Sequence, residues 1–431
     1  MKEFEIHAGW LNPPEKIGKC RINSARGKET ISFAYDEKWL SIHPSFKLDP
    51  DVISMAGWQY PPSNKPCFGF LSDISPDRWG RKLMDRREAI LAKEESRPKR
   101  KLLDSDYIFG VHDQGRIGGI RLFDPDNNEY ISSRKTLAAH PMETLRKLEQ
   151  SSLGFEASAD RESEKWLKNL LDPGSSLGGA RPKANVIDEE GNLWIAKFPS
   201  KNDEIDVGAW EMVSHNLALK CGLNVPDARF MRFSDAGTTF LSKRFDRNGS
   251  NRVHYASAMT VLGCTDAQED QMSYLDIAEA IEQISLNPNK DLKELWNRIV
   301  FNICISNTDD HLRNHGFILD GDSWRLSPVF DINPNTDKDS LSLIIAETDR
   351  KDVQEAISAA GYFRLSEKDA RDQALKLQRI VCDSWKNEAV RCGISNSEIE
   401  QMKIAFEHLC SDRIVSFSAG FRVSSLPFKG D

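Results

Sequence analysis

Apolar positions in the second half of the chain recur at the three-to-four-residue period of helices. Leu292, Leu295, Trp296, Ile299, Val300 and Ile303 share one face, which predicts a core helix running to about Ile305. The same spacing predicts helices over Tyr274 to Ile284, Ala370 to Trp385 and Ser397 to Leu409. Ile205, Trp210, Val213 and Leu217 predict another, from about Ile205 to Cys221, which Gly222 stops. The first half reads differently. Strand-like runs occur between Ile22 and Trp39, clearest in Thr30 to Tyr35. Ala184 to Ile187 and Leu193 to Phe198 flank the turn Asp188 to Asn192 as a hairpin. Leu241 to Arg247 reads as a strand leaving into a charged turn, and Asp77 to Arg86 opens a charged helical segment. Sheet precedes helix, and the predicted class is α+β.

A chain of 431 residues suits two or three domains with large cores. Its net charge of -8 argues against autonomous nucleic-acid binding and leaves DNA contact to a partner. The eight cysteines are scattered without a Cys-x-x-Cys pair, so the expectation is reduced thiols and no zinc site. Met1 to Ile6 lacks a secretory apolar core, and no run approaches the roughly 18 apolar residues that span a membrane. A cytoplasmic protein without membrane contact is expected. Lys93 to Lys101 is a charge run broken by Pro98, read as a solvated connection.

The candidate chemistry lies where the predicted core helix gives way to Asn307-Thr308-Asp309-Asp310-His311-Leu312-Arg313-Asn314-His315-Gly316-Phe317. Asp309 and Asn314 stand five apart, and Asp331 follows after a short apolar run. Magnesium-dependent phosphoryl transfer uses these types: one carboxylate orients the acceptor hydroxyl, while an amide oxygen and a second carboxylate hold the metal against ATP. Asp and Asn are also common turn residues. His311 and His315, four apart, with Asp309 or Asp310, form a second candidate set as metal ligands, although Gly316 interrupts any helix that would align them. Upstream, Gly174 to Lys183 is a small-residue loop feeding the hairpin, suited to bring backbone N–H groups to phosphate. Lys197, at the end of Ile195-Ala196-Lys197, is the strand lysine that such a site needs, and Glu211 on the following helix could pair with it.

Taken together, Phe33 to Leu40, Pro76 to Arg81, Ser176 to Lys183, Arg244 to Arg247 and Asn307 to Asn314 resemble the HipA-type serine/threonine kinases, toxins of type II toxin–antitoxin modules. The resemblance implies a bilobal protein-kinase-like fold: an N-terminal subdomain over 1–125, an ATP-binding core with phosphate loop and hinge over 126–250, and a helical catalytic lobe over 251–431. It implies ATP and magnesium as cofactors. Asp309 would be the catalytic Asp, and Asn314 and Asp331 the magnesium ligands. Gly178, Gly179, Ala180, Arg181 and Lys183 would form the phosphate loop, Lys197 the ATP lysine, and Lys243 to Phe245, with Phe245 itself, the adenine hinge. His311 counts among the nucleotide-binding positions, and Ser176 falls where the family autophosphorylates. The implied partners are a small helix-turn-helix antitoxin, HipB-like, and a translation protein such as an aminoacyl-tRNA synthetase. Three departures stand out. The loop lacks the three-glycine kinase pattern and contains Pro182, Lys243 replaces an acid of some members, and Ile332-Asn333 rather than Phe-Gly follows Asp331. The reading is an ATP- and magnesium-dependent serine/threonine protein kinase. Its rivals are a small-molecule kinase, which shares the Asp-to-Asn spacing, and a nucleotide-sensing corepressor without kinase activity.

Overall fold

The computed structural model describes residues 3–25, 27–133, 139–157, 166, 167, 169, 170 and 181–410. In chain order the strands are β1 (Glu3–Ala8), β2 (Glu15–Ala25), β3 (Lys28–Tyr35), β4 (Ile120–Asp124), β5 (Glu129–Tyr130), β6 (His140–Pro141), β7 (Lys183–Ile187), β8 (Leu193–Lys197), β9 (Ala228–Ser234), β10 (Gly237–Lys243), β11 (Arg247–Asn248), β12 (Asn251–Arg252), β13 (Tyr255–Ser257), β14 (Gly316–Asp320) and β15 (Ser323–Leu326). The helices are α1 (Glu37–Ile42), α2 (Gly69–Asp73), α3 (Arg78–Glu94), α4 (Asp104–Gly110), α5 (Leu145–Ala157), α6 (Val207–Lys220), α7 (Ala258–Val261), α8 (Tyr274–Ile284), α9 (Pro288–Ile305), α10 (Val353–Ser358), α11 (Glu367–Arg391) and α12 (Asn396–Glu407).

The N-terminal module is an antiparallel sheet of order β3-β2-β1-β4-β5. Strict alternation buries Phe4, Ile6 and Ala8 of β1, where they meet Phe33, Trp39, Phe68 and Leu122 in one core. The strand-like run expected to reach Trp39 stops at Tyr35, because Asp36 accepts the Lys38 N–H and starts α1. A second sheet has the order β6-β7-β8-β10-β9, with β6 and β7 parallel and the other pairs antiparallel. Helix α5 covers it through Leu145 and Leu148 against Val186, Trp194 and Leu241. Helix α6 packs close to β10: a Cβ on Gly208 would lie 2.0 Å from the Thr238 carbonyl oxygen, so only glycine fits.

The C-terminal lobe is helical, with the small sheet β13-β14-β15 at its cleft side. Its core gathers α8 to α12 around Tyr274, Trp296 and Trp385. The predicted helices are all present, extended by a turn or more at the start of α9 and the end of α11 and by three residues at the start of α11. One expectation fails: Cys382 on α11 is bonded to Cys410 beyond α12, across 28 residues. The packing of α12 back along α11 brings the two thiols together, which spacing could not reveal. Among the described residues, no helix is long and apolar enough to cross a membrane.

Candidate active site

Helix α9 is buried nearly all round and ends at Ser306, whose left-handed backbone (φ 54°) turns the chain out of the core. The two acids that follow have opposite fates. Asp309 is exposed on the cleft, and its carboxylate has no partner among the described residues. Asp310 points inward, 5% exposed, and one oxygen accepts from Tyr274 Oη (2.6 Å), Asn302 Nδ2 (2.7 Å) and His315 Nε2 (2.8 Å). Burial would raise the Asp310 pKa, yet His315 and the Tyr274 hydroxyl hold it below the usual value. Asn314 donates from Nδ2 to the Asp309 carbonyl at 2.9 Å, which closes the loop and leaves its Oδ1 uncommitted among the described residues. The His311–His315 pair does not form a site, because His315 is turned into Asp310 while His311 faces the cleft.

Opposite lies a charged triad. Lys197, at the end of β8, donates to Glu211 of α6 at 2.5 Å and to Asp331 at 2.6 Å. Burial would lower the Lys197 pKa, but Asp331 and Glu211 push it up to about 12. Burial would likewise raise Asp331, but Lys197 and then Lys183 hold it down to about 2. Glu211 is the deeper acid, and burial pushes its pKa up. One ammonium thus serves two carboxylates, Glu211 and Asp331. Asp331 has a positive φ of 61°, a strained backbone for a non-glycine residue. Beside it, Asn333 Nδ2 lies 3.4 Å from Asp331 Oδ1, while Asn333 Oδ1 is buried without a partner among the described residues.

The N-terminal module also reaches the site. Asp77 caps α3 by accepting the Gly80 N–H at 2.6 Å, and its other oxygen lies 3.1 Å from Lys183 Nζ, both side chains 3% exposed. Arg181 is occupied differently, donating to both oxygens of Asp203 at 2.7 and 2.6 Å. Lys243 ends β10, its backbone N–H bonded to the Asp227 carbonyl and its ammonium 3.7 Å from the Asp227 carboxylate. Phe245 lies between Tyr255 and Phe330, ring centroids 6.0 and 5.6 Å away. Neither its backbone N–H nor its C=O has a partner among the described residues. Arg181, Lys183, Lys197, Lys243, Phe245, Asp309, His311, Asn314 and Asp331 all border one cleft of about 2130 Å³. Gly178, Gly179, Ala180 and Ser176 lie outside the described residues. The sequence offered Asp310 only as a possible metal ligand beside His311 and His315, and Asp77 only within the Pro76 to Arg81 motif; their roles as a buried anchor and as the partner of Lys183, and the place of Asn333, come from contacts distant in the chain.

The HipA-like C-terminal domain family model matches residues 175–401. A Haemophilus influenzae protein named "Putative kinase" is 24% identical over 224 residues, covering 47% of this chain and 65% of its own length. "Putative kinase Y4mE" of Sinorhizobium fredii is 21% identical over 329 residues, covering 70% of this chain and 71% of its own. Among solved structures, the Shewanella oneidensis MR-1 toxin–antitoxin complex of HipA, HipB and operator DNA superposes with a TM-score of 0.60 at 16% identity, over 94% of this chain and 95% of that one. That likeness shows the fold: mixed α/β, bilobal and kinase-like.

Proposed function

The chain belongs to the HipA-like C-terminal domain family, and from that premise we propose that it is an ATP- and magnesium-dependent serine/threonine protein kinase of the HipA type. One observation carries the reading: the Lys197 ammonium joins Glu211 and Asp331 in the cleft that the unpartnered Asp309 carboxylate faces. Lys197 meets the ATP phosphates and Glu211 keeps it in place, as the lysine and glutamate of kinases do. Asp309 accepts or orients the proton of the acceptor hydroxyl. Phe245 offers the adenine a free backbone donor and acceptor, and His311 borders the nucleotide. Arg181 supports the phosphate loop through Asp203.

The donor set fits magnesium. Asp331 is ionised, Asn314 has a free Oδ1, and Asn333 supplies a buried oxygen without a partner, all hard oxygen ligands. Bound there, magnesium would neutralise charge developing on the transferred phosphoryl group. The chain's own residues do the rest by positioning and by fixed charge.

The cleft, at about 2130 Å³, exceeds the roughly 300–1,000 Å³ typical of small-molecule pockets, which supports a protein acceptor. A translation protein such as an aminoacyl-tRNA synthetase is the acceptor we assign from family resemblance, with autophosphorylation at Ser176 as the control. The assigned partner is a small helix-turn-helix antitoxin that carries the complex to DNA. The HipA of the Shewanella complex is bound to HipB and operator DNA, and a net charge of -8 disfavours direct DNA binding. The test is phosphate transfer by purified protein from labelled ATP to protein and small-molecule acceptors. We expect label on serine or threonine of protein, abolished by EDTA. Label confined to small molecules, or none at all, overturns the proposal.

A further inference from the structure

The segment expected as a strand leaving into a charged turn has its charged side chains buried between the two parts of the molecule. Arg244 and Asp246 are 3% and 2% exposed. Arg244 donates to both Asp246 oxygens (2.8 and 2.6 Å), to Asn185 Oδ1 (3.1 Å) and to the carbonyls of Gly115 (2.8 Å) and Arg116 (2.7 Å). Arg247 donates to Asp246 Oδ2 (2.7 Å) and to the carbonyls of Gln114 (3.1 Å), Arg116 (2.7 Å) and Gly118 (3.0 Å). The Gly118 N–H returns a 2.6 Å bond to Asp246. Two guanidiniums therefore grip four carbonyls of one N-terminal-module loop, Gln114 to Gly118, from either side of Phe245.

We propose that Arg244, Asp246 and Arg247 are positioning residues through which the N-terminal module sets the hinge that reads adenine. The inference rests on the proposed kinase reading, because it takes Phe245 as the nucleotide contact. Phe245 has no backbone hydrogen bond of its own among the described residues, so its place is fixed by its charged neighbours and by its ring contacts. A planar guanidinium binds several carbonyls at fixed angles, which a lysine ammonium cannot reproduce. The loop is held equally tightly on its own side. Gly118 has a positive φ of 73°, and a Cβ there would lie 2.9 Å from the Tyr255 backbone nitrogen. The module thus bears on the hinge and on Tyr255, whose ring neighbours Phe245.

The position of the hinge affects how well the base binds and which base is preferred, more than how fast phosphate is transferred. Loosening it removes binding that ground and transition states share, and this raises KM with kcat kept. Two variants of the full chain test this from opposite sides: Arg247→Lys, which keeps the charge beside Asp246, and Gly118→Ala, which moves the module loop and leaves the hinge sequence intact. In each, measured well below its unfolding temperature, we expect KM for ATP to rise at least ~5-fold, kcat to stay within ~2-fold, and the preference for ATP over GTP to fall at least ~3-fold. Folded variants with wild-type KM and base preference overturn the inference, as does a loss of kcat that tracks unfolding with KM unchanged. If Arg247→Lys does not fold, Gly118→Ala alone decides. A wild-type protein that neither binds nor turns over ATP overturns the kinase reading and this inference with it.

Discussion

Replacing Asp310 by Ala should unsettle the Asp309 to Asn314 loop from beneath while touching nothing in the cleft. Asp310 receives three donors on one oxygen, from Tyr274, Asn302 and His315, at 2.6 to 2.8 Å. A hydrogen bond to a charged group contributes about 1.5–3 kcal/mol, and a buried donor left without its acceptor costs about 1–3 kcal/mol. Simple addition overstates the loss, because desolvating the carboxylate already cancels part of the gain. Truncation of one member of a buried charged cluster costs about 3–5 kcal/mol. In a cooperative unit of 150–250 residues that lowers Tm by on the order of 10 °C. The measurement is thermal unfolding by circular dichroism, paired with ATP turnover at low temperature. Turnover should fall too, since Asp309 and Asn314 sit on the loop that Asp310 anchors. The effect also has a pH signature. The folded-state pKa of Asp310 is lowered, so its contribution is complete above the unfolded value near ~4 and is lost as pH falls below it. A variant within ~1 kcal/mol of wild type would refute the view of Asp310 as the anchor.

The neighbouring acid should behave in the opposite way: Asp309→Asn lowers turnover at least ~100-fold with Tm nearly unchanged, because its carboxylate has no partner to lose among the described residues; a matching fall in Tm would contradict this. Lys197→Met should remove most ATP turnover and also destabilise the lobe, since Glu211 and Asp331 would share a cleft without their cation; steady-state kinetics and urea unfolding would show both. Asp331, held down to about 2, should stay ionised throughout pH 5–8, so loss of activity across that window belongs to another group; its own stabilising effect should disappear only as pH falls from ~4 towards 2. The purified chain alone should not shift operator-like DNA at physiological salt; nanomolar binding without a partner would oppose the assigned role of the antitoxin.

The sequence made parts of the site legible for a physical reason. The chemistry proposed for Asp309, Asn314 and Asp331 fixes residue types at set intervals, and helix α9 shows by its period where the loop must start. Lys197 and Glu211 could be paired because a strand end and a helix face are both readable from local pattern. What stayed hidden depends on contacts far apart in the chain. Nothing local distinguishes the exposed Asp309 from the buried Asp310. Asp77 meets Lys183 across more than a hundred residues, and the burial of the charged Arg244 to Arg247 turn was hidden because many of its partners are backbone carbonyls, which carry no sequence signature. Cys382 and Cys410 meet only because two helices return along each other.

The central claim is that this chain phosphorylates protein with Asp309 at the reacting centre. Phosphoproteomics after induction of the wild-type chain and of Asp309→Asn, at equal expression, tests it most directly. Serine or threonine sites should gain phosphate with the wild type alone, among them a site on a translation protein. Identical phosphoproteomes from the two, with the wild type folded and supplied with ATP and magnesium, would contradict it.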